Sequence, residues 1–264
     1  MKQKPCDLNN QESDGTDISR FDYVLEAAGL RRTMSISGSA YTSADIVYDY
    51  DAAYQLTKET RTGGSAFAQS FWYDSAGNRT KLLVDSTTTA YQYDYIDRMT
   101  KDGGNTRLWD EWGNMTKVNS HYYSWNDSDR MTKFDHATGT SNDATHHYLP
   151  GTGKRYKRVQ DTTAEYFIFD GDNVLASYGS GGALNASYLT PGLDANLSMT
   201  NTTDTYYYMV DGLGSVGNLV DSSETVQNTY DYRAFGVNQG MTENAANPYH
   251  FTARARNCIF TVNC

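Results

Sequence analysis

Four short stretches of this chain carry residue types that do chemistry in other settings. Gly151-Thr152-Gly153-Lys154 has the glycines and lysine of a phosphate-cradling loop. That loop also needs a glycine five positions before Gly153 and a hydroxyl after the lysine, where Tyr148 and Arg155 stand, so nucleotide binding is not expected. Asp170-Gly171-Asp172-Asn173 begins like a calcium loop, but Val174 fills the fifth position and no glycine the sixth, which reads as a hairpin turn. His146 and His147 are adjacent; in a strand they face opposite ways and do not converge on a metal. Asp211 and Ser215 with the distant His250 supply hydrolase residue types, yet no nucleophile elbow surrounds Ser215, and a tight turn is the simpler reading. The chain is therefore expected to be non-catalytic, without cofactor or metal.

The elements that carry these residues are set by a repeated phrase. An aromatic is followed by Asp or Asn, a short turn, an Arg- or Gln-type position, an aliphatic, and then Thr-Lys. The copies are Tyr50-Asp51…Gln55-Leu56-Thr57-Lys58, Tyr73-Asp74…Gly77-Asn78-Arg79-Thr80-Lys81, Tyr93-Asp94…Arg98-Met99-Thr100-Lys101, Trp109-Asp110…Gly113-Asn114-Met115-Thr116-Lys117 and Trp125-Asn126…Arg130-Met131-Thr132-Lys133. A looser copy lies upstream from Phe21-Asp22 to Thr33. The steps between aromatics are 23, 20, 16 and 16 residues, which fits two short strands and two turns and is too short for a helical pair. The unequal steps suggest that one connecting loop varies while the phrase is held. Asp74-Ser75-Ala76-Gly77-Asn78 is a turn in which Asp caps and Gly-Asn accepts positive φ, and the flanking residues alternate as half-buried strands do. No single hairpin is stable alone, so the copies must stack. Arg98 and Arg130 are placed to lie over neighbouring rings. The aromatic rows admit two readings: a structural spine in which the rings support one another, which we favour, or a row of platforms for sugar rings.

Composition narrows the partners. The 264 residues carry a net charge of −10, with 22 tyrosines against nine phenylalanines and four tryptophans. Between Val159 and Tyr232 there is no Lys or Arg, only carboxylates, which argues against nucleic acid. Cys6, Cys258 and Cys264 lie near the termini and form no disulfide or metal pattern. No apolar run approaches a membrane span. Met1-Lys2-Gln3-Lys4 is followed by polar residues rather than the apolar stretch of a signal peptide, and residues 1–17 read as a loose polar leader. Tyr23 to Arg32 is the one stretch with a trace of helical period.

After residue 134 the phrase changes but strands and turns continue. Tyr166 to Phe169 runs through the Asp170–Asn173 turn into Val174 to Tyr178; Tyr206 to Val210 leads into Asp211 to Ser215; Val216–Val220 and Thr225–Tyr232 flank a turn at Asp221-Ser222-Ser223.

These residues resemble the Rhs/YD-repeat family. The phrase is similar to the YD repeat, and the second part resembles the Rhs repeat-associated core. Phe169 to Asn173 matches Tyr-Asp-Gly-Asp-Asn with Phe for Tyr; Asp211, Leu213, Gly214, Ser215 and Val216 match Asp-x-Leu-Gly-Ser-Val; Phe235-Gly236 closes a Tyr-Asp…Phe-Gly match; and Asn247, Pro248, Phe251 and Thr252 match Asn-Pro-x-x-Phe-Thr. From Ala253 onward the pattern is lost, and the Asp-Pro-x-Gly segment at which many relatives cut themselves is not present in the sequence given. The resemblance implies an all-β fold of stacked hairpins forming a curved sheet, part of a shell that in full-length relatives encloses or presents a C-terminal toxin or effector. It implies a bacterial, secreted or cell-surface setting and an enclosed or adjacent polypeptide as partner. A sheet of this length is expected to have two open edges. The expected organisation is a leader at 1–17, YD hairpins at 18–133, a core-like β region at 134–252 and a non-matching tail at 253–264. The alternative function is binding of cell-surface carbohydrate through exposed Tyr and Trp rows.

Overall fold

The computed structural model describes residues 6–136, 143–192 and 195–253. Met1-Lys2-Gln3-Lys4, Arg254, and Cys258 and Cys264 with the rest of the tail lie outside the described residues. Among the described residues the chain is all-β: 23 strands and two single-turn 3-10 segments, with every described strand pair antiparallel and most between chain neighbours. The expected fold class is observed.

The chain divides into two compact units, and the division does not follow the expected boundary near 133. One unit joins the N-terminal residues through Thr89 to the segment from Tyr206; the other comprises Ala90–Thr205. In the first unit, strands Cys6–Gln11, Asp17–Leu25, Arg31–Ser37, Ala44–Tyr50, Leu56–Gly63, Phe67–Tyr73 and Arg79–Val84 form a meander. Alternate residues point inward, so Phe21, Tyr23, Met34, Ile36, Ala44, Ile46 and Tyr48 build one core. Strands Val216–Val220, Val226–Tyr232 and Asn238–Glu243 bring a second set of buried groups, Val216, Leu219, Val220 and Tyr230. Tyr41, Phe21 and Met34 line a void of only about 20 Å³ together with Gly217 and Tyr230, residues drawn from both meanders of this unit. In the second unit a smaller core gathers Val118, Tyr123, Phe134 and Ala144, with Met115, Trp125 and Met131 against it.

Three expectations are corrected. The leader is a strand from Cys6 onward, paired with Asp17–Leu25; its residues are polar because most of them stay at the surface. Tyr23 to Arg32 is not helical: Phe21 and Tyr23 alternate inward with period two, and the chain turns at Glu26–Leu30 with Gly29 at φ 82°. Glu26, not Asp22, therefore holds the turn position of the upstream copy. Finally, the unequal repeat steps come chiefly from strand length, not from a loop. The turn within each phrase is five residues every time and the turns between copies are two or three, whereas the strands shrink from eight and seven residues (Leu56–Gly63, Phe67–Tyr73) to four and five (Met115–Val118, His121–Trp125).

Candidate functional site

The repeat phrase resolves into one recurring piece of geometry. In each copy the acidic or amide side chain folds back on its own turn. Asp51 Oδ1 accepts from the N–H groups of Ala53 and Gln55, Asp74 Oδ1 from Ala76 and Asn78, Asp94 Oδ1 from Ile96 and Arg98, Asp110 Oδ1 from Trp112 and Asn114, and Asn126 Oδ1 from Ser128 and Arg130, all within 2.8–3.1 Å. The fourth turn residue has positive φ each time: Tyr54 62°, Gly77 91°, Asp97 64°, Gly113 91° and Asp129 55°. The strand register slips by one residue at each aromatic, Tyr50, Tyr73, Tyr93, Trp109 and Trp125. The N–H of Asn78, with others of its turn, holds the exposed Asp74 carboxyl below the usual carboxylate range. The turns expected at Asp211 to Ser215 and at Asp221 have this same geometry, which extends from Asp221 to Thr225.

The aromatics of four of the five copies, and Tyr148 after them, tie one hairpin to the one before. Tyr73 Oη donates to the Leu56 carbonyl at 2.7 Å, Trp109 Nε1 to Met99 and Trp125 Nε1 to Met115 at 2.8 Å each, and Tyr148 Oη to Met131 at 2.8 Å. Tyr50 Oη reaches the Arg31 carbonyl at 3.0 Å. The acceptor is the same place in the phrase, the residue that opens the strand after the preceding turn. Thr57, Thr80 and Thr132 add bonds to the carbonyls of Asp49, Trp72 and Ser124 across their own hairpins. The rings are half-buried. Arg130 lies over Tyr148, its guanidinium 5.9 Å from the ring centre. Arg98 binds Asp94 at 2.7 Å and the Asp110 carbonyl at 2.8 Å. Arg79 sits over Phe71 and Phe235.

Most of the core-motif residues close the first unit. Asp211 is half-buried, and desolvation raises its carboxyl while N–H groups of Ser215 and Leu213 oppose the rise. Gly212 N–H donates to Tyr23 Oη at 2.8 Å, and burial pushes that phenol up to about 12. A Cβ on Gly212 would stand 2.7 Å from the Tyr23 ring. Tyr41 Oη bonds the carbonyls of Gly217 and Tyr230. Ser215 Oγ is fully buried and accepts from Thr252 N–H at 3.1 Å. Asn247 bridges Tyr208, Tyr230 and Tyr249, with Pro248 half-buried beside it. Gly236 is at φ 79°, packed so that a Cβ would meet the Phe251 ring at 2.6 Å, while Leu213 and Phe235 are exposed. The buried Glu59 accepts from Ala234 N–H and the Gln69 amide, and Arg61 pairs with Asp231 at 2.8 Å.

The remaining chemical candidates stay apart. Asp170 to Asn173 is a tight hairpin turn, with Gly171 at φ 55° and Lys154 against Gly171 and Asp172. Lys154 and Gly153 sit in another turn, and a Cβ at Gly153 would strike the Arg130 guanidinium. His146 is buried and His147 exposed, on opposite faces. Ser215 is bonded to Thr252, whereas the His250 ring lies against Asn247 and Glu243. Among the described residues no group of three or more His, Cys, Asp or Glu is arranged to hold a metal ion.

No family model matches the chain. It is 28% identical over 193 residues to the tRNA3(Ser)-specific nuclease WapA of Bacillus spizizenii, across 71% of this chain and 8% of that protein. Its fold matches a chain of the Photorhabdus luminescens Tc holotoxin pore, with a TM-score of 0.74 and 14% identity over 97% of this chain and 16% of that one. It also matches the crystal structure of TcdB2-TccC3 without the hypervariable C-terminal region, with a TM-score of 0.71 and 13% identity over 95% of this chain and 15% of that one. The fold is therefore one found within a chain of the Tc holotoxin pore and within a chain of TcdB2-TccC3. The chain spans about 8% of the curated relatives it matches.

Proposed function

We propose that this chain is a non-catalytic structural module, part of an Rhs/YD-type β-shell that encloses or presents a polypeptide. One observation carries the reading: the aromatic, Asp or Asn and Thr of the repeat bond to backbone groups of their own hairpin or the one before. A residue set that satisfies backbone in this way holds a wall and leaves the chemistry to whatever the wall contains. Likeness in fold to a chain of the Tc holotoxin pore and in sequence to a nuclease many times longer supports the same reading. The partner is then an enclosed or adjacent polypeptide, and the setting a bacterial secreted or surface protein. Among the described residues no helix is long and apolar enough to cross a membrane. Carbohydrate binding through Trp109 and Trp125 has less support, because both rings are half-buried and both indole N–H groups are engaged.

Limited proteolysis of the full natural gene product tests the proposal. The rest of the product is expected to resist trypsin while this stretch is folded, and to become cleavable when Trp109→Ala with Trp125→Ala loosens it. Equal cleavage in both proteins would contradict it.

A further inference from the structure

The second unit holds a notch that the repeat geometry does not explain. It lies between two successive turns, has a volume of about 250 Å³, and is lined by Asp110, Trp112, Asn114, Trp125, Asn126, Asp127 and Asp129. Trp112 takes the third place of its turn, where the other copies carry Ala53, Ala76, Ile96 and Ser128. It exposes 79% of its surface, although burying a ring of this size is favourable and Trp109 and Trp125 beside it are half-buried. Three carboxylates line the notch and no Lys or Arg does. The nearby Arg98 donates to the Asp110 carbonyl, but its charge is held by Asp94.

The lining divides into engaged and open groups. Asp110 Oδ1 accepts from two backbone N–H groups, and its Oδ2 from Asn114 Nδ2 at 3.1 Å. Asn114 Nδ2 also donates to Asp129 Oδ1 at 2.9 Å, and Asn126 Oδ1 accepts from Ser128 and Arg130. The groups that would read a sugar's hydroxyl pattern are thus largely taken up by the turns. The lining residues whose side chains stay exposed are Asp127, Asp129 and Trp112. An aromatic face beside carboxylates, in a site with no resident cation, suits an organic cation whose alkyl stem packs on the ring. An inorganic cation is disfavoured, since no metal-holding arrangement of three such side chains exists among the described residues.

We infer that the notch binds an alkylammonium or guanidinium group, the basic side chain of a lysine or arginine on a polypeptide. This inference does not depend on the shell reading. Trp112→Ala leaves the hydrogen bonds of the turn in place, because the residue contributes only its backbone N–H. The probe is tetralysine amide, titrated calorimetrically against the whole chain, with glucose as the neutral comparison. Wild type is expected to bind the peptide and not the sugar. Trp112→Ala should weaken binding about 2- to 5-fold, the range of an exposed cation–π contact, while Trp112→Phe retains most of it. Asp127→Asn should weaken it further, and added salt should do the same. Affinity unchanged in Trp112→Ala would mean diffuse attraction to a chain of net charge −10 and would overturn the inference. So would glucose binding that Trp112→Ala abolishes, or no binding of tetralysine at millimolar concentration.

Discussion

At the scale of single residues, the repeat is a set of hydrogen-bond assignments, and each can be deleted. Tyr73→Phe keeps the ring and removes only the donor to the Leu56 carbonyl; a loss of about 0.5–1.5 kcal/mol in urea unfolding is expected. An unchanged midpoint would mean water replaces that bond at no cost. The turn acid makes a sharper comparison. Asn126 does the work of the aspartates elsewhere, so Asp74→Asn should preserve the turn, whereas Asp74→Ala removes the acceptor for Ala76 and Asn78 and should lower the midpoint clearly. Equal midpoints for the two variants would contradict the role assigned to Oδ1. His146 gives a dependence on pH. It is buried with neither ring nitrogen partnered, and burial, then Arg155 and Arg158, pull its pKa down to about 4 from 6.5. The unfolded chain therefore takes up a proton that the folded chain refuses between these values. The stability linked to His146 is complete above pH 6.5 and is lost as pH falls towards 4. Denaturant melts at pH 7.5 and 5 should show a smaller acid loss in His146→Leu than in the wild type; parallel losses would remove His146 from the account. The phrase made these bonds half-legible in advance. Asp, glycine and strand alternation announced the turn, but nothing in the spacing said that these indoles and phenols donate to the strand start of the preceding copy. Trp112 was invisible as a site because it lies in the turn rather than in the aromatic row.

At the scale of elements, hairpins were legible and their long-range closure was not. Alternation and turn residues located Val216–Val220 and Val226–Tyr232 to within a residue. The packing of those strands against the N-terminal meander joins residues almost 200 positions apart, such as Tyr41 with Tyr230, and no local pattern encodes it. Charged residues at inward positions hid it further. Glu59 and Arg61 are charged and yet buried, bonded to Ala234 and Asp231. The strand at Cys6–Gln11 escaped for the opposite reason, since a mostly exposed strand has no apolar alternation to betray it. Gly212→Ala tests the closure. Its added methyl group meets the Tyr23 ring, and a loss of about 1–3 kcal/mol is expected, with Gly113→Ala as a comparison in which no atom opposes the methyl but φ is positive. A neutral Gly212→Ala would mean that the two meanders of this unit are less tightly apposed than described.

At the scale of the whole molecule, repeated small bonds replace a large hydrophobic core. Apolar clusters are compact, 22 of the residues are tyrosine, and their hydroxyls satisfy carbonyls that stacked hairpins leave open. A protein built this way has cooperativity that passes from copy to copy, so weakening one link should loosen its neighbours. The same logic separates a wall from a receptor, for an aromatic row that binds a ligand can lose rings without losing structure. Hydrogen exchange measured by mass spectrometry on Trp109→Ala with Trp125→Ala decides between them most directly. The account predicts loss of protection across the strands from Met99 to Asp135, well beyond the two substituted sites. Protection equal to that of the wild type across those strands would contradict the aromatic rows as the structural spine.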